Sequence, residues 1–321
     1  MKIIHFCVGL EESNGMANTA RQFVAEELAQ GHNSRLTKQI ADVLAAGTFD
    51  VLHIHGTWLP VLWRAAKIAK RAGARVIVRP AGNYDPLRRR SGFVKRLKKL
   101  VAAPFEHAML DRADVLQASC LAEAEWIKSY HPRGADKVEL TDLRRFFRLM
   151  PQNQNTPESA IADRPLHVLF LGRATDPLKG VRYLQRAVAA INRGFSVLGK
   201  NENPMVELHI ASKVFGAEKE AEWAWCDLLC LPTLSENFGR VVAEALERGK
   251  PVITTDGAPA WKNEPRTDAH GRTRLAYLEG YRDGADAQRV ELLKRALGLF
   301  LEDAAHGAGG TVRRAAKGSE R

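Results

Sequence analysis

Cysteine and unbroken hydrophobicity are both scarce in this chain of 321 residues. Its four cysteines, Cys7, Cys120, Cys226 and Cys230, are scattered and form no Cys-x-x-Cys pair. That weighs against a disulfide framework and a cysteine zinc site. Cys226 and Cys230 read as small buried hydrophobes beside a strand. No apolar run approaches the ~20 residues of a membrane-spanning helix. The opening Met1-Lys2-Ile3-Ile4-His5-Phe6 turns polar too soon for a signal peptide. It reads as the first strand of a mature cytoplasmic protein. Acid is scarce in the first half: residues 1–150 hold 24 Lys+Arg against 15 Asp+Glu, whereas residues 151–321 hold 24 against 22. Most of the net charge of +11 therefore lies in the N-terminal half. An excess of that sign calls for an anionic partner: membrane, acidic substrate or nucleic acid. No RNP-type, helix-turn-helix or zinc-finger motif accompanies it.

What is present is a globular composition, 45% hydrophobic and 26% charged, long enough for two domains. Strand-like runs over 2–8, 51–55, 75–78 and 115–118 alternate with helical segments over 17–30, 34–46, 59–72, 88–110 and 122–129. Such alternation builds a parallel sheet covered on both faces, with ligands bound beyond the carboxyl ends of the strands. The polar, proline-bounded stretch 151–157 reads as a linker. The pattern restarts with strands over 167–171, 206–211, 228–232 and 251–254, helices over 181–193 and 239–247, and a helical spacing over 286–302. The expected fold is α/β, with two Rossmann-like domains facing each other across a cleft. The N-terminal domain would span 1–150 and the C-terminal one 151–303, followed by a disordered basic tail over 304–321.

The most informative string is Leu231-Pro232-Thr233-Leu234-Ser235-Glu236-Asn237-Phe238-Gly239-Arg240-Val241-Val242-Ala243-Glu244. A buried strand ends at Pro232, a short loop carries Glu236, and a helix starts near Phe238–Gly239. Free N–H groups at a helix start, with the helix dipole, suit a phosphate. Glu244 lies more than a turn into the helix, so the two carboxylates would meet two ends of one extended ligand. A solvated helix with acidic residues is the plainer alternative for Glu-x7-Glu taken alone.

The full string resembles the donor-site motif of the retaining glycosyltransferases of family 4, the group 1 glycosyltransferases with the GT-B fold. Upstream, Val168-Leu169-Phe170-Leu171-Gly172-Arg173 followed by Lys179-Gly180 is similar to the family's Gly-Arg and Lys-Gly element. Asn14-Gly15-Met16 looks like its glycine loop, and Ile253-Thr254-Thr255-Asp256-Gly257 like the strand after the motif helix. The resemblance implies transfer of a sugar, hexosyl in type, from a nucleoside-diphosphate sugar to an acceptor hydroxyl. Retention is explained there by front-face attack, with the leaving phosphate taking the acceptor proton and no protein nucleophile. It implies catalytic roles for Glu236, Arg173 and Lys179. Donor-binding roles would fall on Gly15, Asn237, Phe238, Gly239 and Glu244, with the N–H groups of Asn237, Phe238 and Gly239 on phosphate and Glu244 on ribose. It also implies a glycan or lipid-linked acceptor, bacterial cell-envelope or lipopolysaccharide synthesis, and no nucleic acid. No metal or other cofactor is implied, because fixed cations stabilise the leaving group.

The chain departs from the family in places. Where many members carry a His after the fourth strand, it has Arg79-Pro80-Ala81-Gly82-Asn83, which leaves Arg79 and Asn83, with His55, as acceptor-side contacts. A strand usual between 32 and 50 is expected to be missing, and 211–223 is short. His53 and His55 share a strand face, but no third metal ligand is evident in the sequence. The stretch from Arg88 to Leu100 holds seven basic residues and no acid. Its apolar positions fall on one helical face, which can lie on an anionic membrane or pack on the core. The expected location is cytoplasmic, with peripheral attachment to the inner membrane face through 88–100. A non-transferase GT-B enzyme such as a nucleotide-sugar epimerase, and a basic membrane- or nucleic-acid-binding module, are the alternative functions.

Overall fold

Strands buried on both faces and helices with one apolar face assemble into two parallel sheets in the computed structural model. It describes residues 1–11, 14–90, 92–149, 164–197, 204–268 and 271–307. The N-terminal half runs β1 (Lys2–Cys7), α1 (Gly15–Ala29), β2 (Asn33–Thr37), α2 (Ile40–Ala45), β3 (Val51–His55) and α3 (Pro60–Arg71). It continues with β4 (Arg75–Arg79), α4 (Pro86–Arg90), α5 (Phe93–Arg112), β5 (Val115–Ala118), α6 (Leu121–Tyr130) and β6 (Val138–Leu140). A side-chain cap starts α1 and a proline starts α3. Asn14 accepts from the N–H groups of Met16 and Ala17, and Pro60 opens α3 where its missing N–H costs nothing.

The C-terminal half runs β7 (Leu166–Leu171), α7 (Val181–Val197), β8 (Val206–Ala211), α8 (Gly216–Trp225) and β9 (Leu228–Leu231). It ends with α9 (Arg240–Glu247), β10 (Val252–Thr255), β11 (Leu275–Leu278) and α10 (Asp286–Gly307). The sheet orders are β2-β1-β3-β4-β5-β6 and β11-β10-β9-β7-β8. Five strands of each share one winding, because the chain steps outward from the first strand and then crosses to its other side. The strand order therefore reverses between β1 and β3 and between β7 and β9, where doubly wound sheets bind ligands.

The expected α/β architecture is present, with corrections at its margins. The strand expected to be missing between 32 and 50 exists as β2, pairing with β1 from Asn33 opposite Lys2 to Thr37 opposite Phe6. Its polar sequence and two exposed positions conceal it, as befits an edge strand. The expected helix over 34–46 shrinks to α2. The short strands β6 and β11 also went unread. Before residue 150, Leu143, Phe146, Phe147 and Leu149 pack against the core of the second sheet, as Phe23 of α1 also does. The segment 151–157, expected as a linker, lies outside the described residues. At the far end α10 reaches Gly307, past the expected start of the tail at 304, and the remainder lies outside them too.

Within the stretch 88–110 the packing is split. Ala102, Glu106, Met109 and Leu110 are buried, whereas Phe93, Val94, Leu97, Leu100 and Val101 stand exposed, Phe93 at 82% and Leu100 at 71%. The reading in which this apolar face packs on the core fails for the first two turns of α5. Among the described residues no helix is long and apolar enough to cross a membrane.

Candidate active site

One cavity of about 550 Å³ opens between the two sheets, of a size suited to a nucleotide sugar. Loops after β1, β4, β7, β8 and β9 line it. It brings together Gly15, Arg79, Asn83, Arg173, Lys179, Glu236, Asn237, Phe238, Gly239 and Glu244, all but one of the residues expected at the site.

Lys179 ends a short turn, Pro177–Lys179, capped by Asp176, whose side chain accepts from the Leu178 N–H at 3.1 Å. The carbonyl of Leu178 accepts from the Leu234 N–H at 2.7 Å and from the Thr233 hydroxyl at 3.0 Å. This lashes the lysine turn to the Glu236 loop. Gly180 follows with φ +68°, and a Cβ there would lie 1.9 Å from the carbonyl oxygen of Pro232, so no other residue fits. Lys179 is buried and its Nζ pairs with the Glu236 carboxylate. Burial alone would raise the Glu236 pKa. The attraction of Lys179, then that of Arg88, outweighs it and holds the group below the usual carboxylate value, hence ionised.

The helix after the loop begins later than expected. Gly239 is its N-cap residue, in a left-handed conformation with no side-chain cap, and the first helical residue is Arg240. The first turn of α9 is thus open to an anionic cap. Asn237 is differently used. Its N–H donates to Glu236 Oε1 at 3.2 Å, and its Oδ1 accepts from the Ser119 hydroxyl at 2.8 Å across the cleft. Glu244 stands one turn on, its Oε2 2.7 Å from Lys219 Nζ without hydrogen-bond geometry, which leaves acceptor capacity for a diol. Arg173 is exposed, its Nη2 3.4 Å from Asp176, and borders the cavity where Lys179 is buried.

His55 is the exception. It is buried beneath α1 and does not line the cavity, so its expected acceptor-side contact is corrected. Register places His5 beside His53 and Cys7 beside His55 on one sheet face. His5, not read as a partner, joins the pair: its Nδ1 is 2.9 Å from His55 Nε2 and its Nε2 2.8 Å from Glu27. The ligand atoms of the three histidines lie within 4.8 Å of one another, so the third ligand that the sequence hid exists. Burial, then neighbouring charge that includes the Arg79 guanidinium, keeps His53 and His55 well below the usual histidine value. That same positive charge opposes a metal cation. Asn83 donates its side-chain N–H to the carbonyl of Pro80 at 2.8 Å, shaping its own turn at the cavity edge.

Sequence reasoning missed several residues that join the two walls. Arg88 was counted with the basic patch, yet its Nη2 donates to the Ser235 carbonyl at 2.6 Å. Asp85 accepts from the Ser235 hydroxyl at 2.6 Å and from Arg282 at 2.6 and 3.1 Å. Gly82 abuts Asn237, where a Cβ would come within 2.8 Å. The polar loop Asp85-Pro86 and the lone Arg282 carry no local pattern that would have pointed to these contacts.

Two doubly wound sheets of like winding, with their strand ends facing one cleft and a helix start on one wall, define the GT-B class of glycosyltransferases. Solved structures agree in fold. WaaG, a glycosyltransferase involved in lipopolysaccharide biosynthesis, superposes with a TM-score of 0.61 at 16% identity, covering 96% of this chain and 95% of that one. HepE of Anabaena, in complex with UDP-glucose, gives 0.57 at 15% identity over 96% and 93%. In sequence, residues 165–277 match the family described as glycosyl transferases group 1, and residues 14–143 a glycosyl transferase 4-like domain. The chain belongs to the group 1 glycosyltransferases of family 4. It is 28% identical over 178 residues to the D-inositol 3-phosphate glycosyltransferase of Corynebacterium glutamicum, which covers 46% of this chain and 42% of that protein. It is 23% identical over 250 residues to the phosphatidyl-myo-inositol mannosyltransferase of Mycolicibacterium smegmatis, 68% and 56%. The chain thus spans about half the length of these two relatives.

Proposed function

We propose that this chain is a retaining glycosyltransferase. It moves a sugar from a nucleoside-diphosphate sugar to an acceptor hydroxyl in the assembly of a bacterial cell-envelope glycan. The observation that carries the reading is the Lys179–Glu236 pair fixed beside the open start of α9, with Glu244 one turn beyond. The α9 start and Lys179 bind the diphosphate, Arg173 closing on it from the rim. Negative charge grows on the departing phosphate as the anomeric bond breaks, and these groups stabilise it more in the transition state than in the ground state. Glu236 accepts hydrogen bonds from sugar hydroxyls and orients the ring. The acceptor hydroxyl enters from the side of the leaving phosphate, whose oxygen takes its proton, so the new bond keeps the old configuration. Names among the relatives support the envelope context: a phosphatidyl-myo-inositol mannosyltransferase and a lipopolysaccharide glycosyltransferase.

The test is a thermal-shift panel of UDP-, GDP-, ADP- and TDP-sugars, followed by NMR of the first sugar anomer released by slow hydrolysis of the donor that binds. Stabilisation by one donor and release of the donor's own anomer are expected. Release of the opposite anomer overturns retention, and conversion of the donor to an epimer overturns transfer.

The exposed start of α5 supports a location at the inner membrane face. Phe93, Leu97 and Leu100 stand out beside Arg96 and Lys98, the composition of an interfacial helix. Co-sedimentation with vesicles containing phosphatidylglycerol is expected for the wild type. Phe93→Asp with Leu100→Asp should lower it by about tenfold or more, at roughly 1 kcal/mol or more per buried apolar side chain. Equal sedimentation of the two proteins would sink the assignment.

A further inference from the structure

One buried cation in the cleft forms no ion pair among the described residues. Arg79 ends β4 on the N-terminal wall, is 3% exposed and lines the cavity. Among the described residues its guanidinium forms no ion pair, and the buried Nη1 has no hydrogen-bond partner. The carboxylate whose charge reaches it, Glu123, is already committed. Its Oε1 accepts from the Gly82 N–H at 2.6 Å, and its Oε2 accepts from the Ser119 N–H at 2.8 Å and hydroxyl at 2.7 Å. The other groups that act on Arg79 or feel its charge are Cys7, His53, His55 and Arg240. None is an anion at neutral pH: burial raises the Cys7 thiol and lowers both histidines. Burial also pushes Arg79 down to about 10, which still leaves it charged.

A buried guanidinium with no ion pair and an unpartnered Nη1 is costly, since Glu123 offsets its charge only through space, and the cost is relieved when an anion arrives from the side that is open. Here that side is the cavity. The donor diphosphate has its own cations and helix start on the opposite wall, on a different sheet. We propose that Arg79 receives an oxyanion, carboxylate or phosphate, carried by a sugar substrate in the N-terminal half of the cleft. Its planar fork suits two oxygens of one such group. The inference rests on the glycosyl-transfer reading and deepens it, because it names the charge class of a substrate. The oxyanion has two sources: a uronic acid carboxylate on the donor sugar, or a phosphate on the acceptor.

The experiment keeps the two readings apart. The full chain is saturated with the nucleoside diphosphate of whichever donor the panel selects, filling the diphosphate subsite. Inorganic phosphate is then titrated against chloride at equal ionic strength while Tm is followed in wild type, Arg79→Lys and Arg79→Met. Phosphate should raise the wild-type Tm, with affinity about 10- to 100-fold weaker in Arg79→Met, the range for a charge-assisted pair. Without phosphate, Arg79→Met should be at least as stable as wild type, because it removes an uncompensated charge. An Arg79→Met protein that is less stable and responds equally to phosphate makes Arg79 a structural residue and overturns the inference. Nucleoside diphosphate binding that persists in that case leaves the transfer reading intact, whereas its absence from wild type removes the reading itself. The source is then read from two comparisons in wild type and Arg79→Met. These are hydrolysis of a nucleotide uronic acid against its neutral hexose counterpart, and transfer to inositol 1-phosphate against inositol. A preference for the charged member that Arg79→Met abolishes identifies the source. No preference in either comparison overturns the inference.

Discussion

Lys179→Met lowers kcat by about 100- to 1000-fold, the range for removing one preorganised group that stabilises charge in the transition state. The affinity for the donor falls far less, because the α9 start and Arg173 still hold the diphosphate in the ground state. The size of the effect follows from how the lysine is held. The Leu178 carbonyl, the Gly180 approach to Pro232 and the Asp176 cap fix its turn against the Glu236 loop, so its charge is in place before the bond breaks. The variant also strands Glu236, at a cost of about 3 kcal/mol. Adding Glu236→Gln separates the two effects: Lys179→Met with Glu236→Gln should regain most of the stability and none of the rate.

The pH dependence of the same pair gives a second readout. In wild type Glu236 sits below the ordinary carboxyl value of 4.5, so its contribution is complete above that value and is lost as pH falls through the folded-state pKa. Without Lys179, burial governs and the folded pKa moves above 4.5. The carboxyl then favours the folded state only when protonated, and stability falls as pH rises past about 4.5. The Tm deficit of Lys179→Met should therefore shrink on acidification. A deficit independent of pH would mean that Lys179 does not set the charge of Glu236.

The C-terminal wall of the cleft was legible because it is local. Leu228 to Glu247 is one strand, one loop and one helix, and buried strands in parallel sheets announce themselves as apolar runs such as Leu228–Leu231. Lys179 could be placed through its motif, since the turn and the strand before it are likewise continuous in sequence. The edge strands were not legible. Asn33–Thr37 has a single interior aliphatic residue, and Val138–Leu140 is three residues long, so neither offers a period to count. His5 escaped because only register sets it beside His53, and register is a property of two strands. Arg88 was misread for a related reason: in a run of basic residues, composition cannot show which one turns inward to Ser235.

Arg282→Ala lowers Tm by roughly 10 °C and weakens both kcat and KM, since the pair it breaks spans the cleft. Asp85 is wholly buried after β4, and Arg282 follows β11, 197 residues away. Loss of the guanidinium leaves a buried carboxylate with only the Ser235 hydroxyl and the Leu87 N–H, and breaking such a pair costs about 3–5 kcal/mol. At about 2–4 °C per kcal/mol for chains of somewhat smaller size, a shift near 10 °C follows. Asp85→Ala should cost less. Arg282 is 15% exposed and lies over the Trp126 ring, so the orphaned guanidinium reaches water and keeps one favourable neighbour. The kinetic loss arises through Ser235, which is bonded to Asp85 and precedes Glu236, so slackening the clamp displaces the carboxylate proposed to orient the sugar. An uncharged pair, Asp85→Asn with Arg282→Gln, should recover part of the stability while transfer stays slow, because a neutral pair no longer holds the two walls in register. Equal stability of Arg282→Ala and wild type would show that the Asp85–Arg282 pair does not hold the walls together.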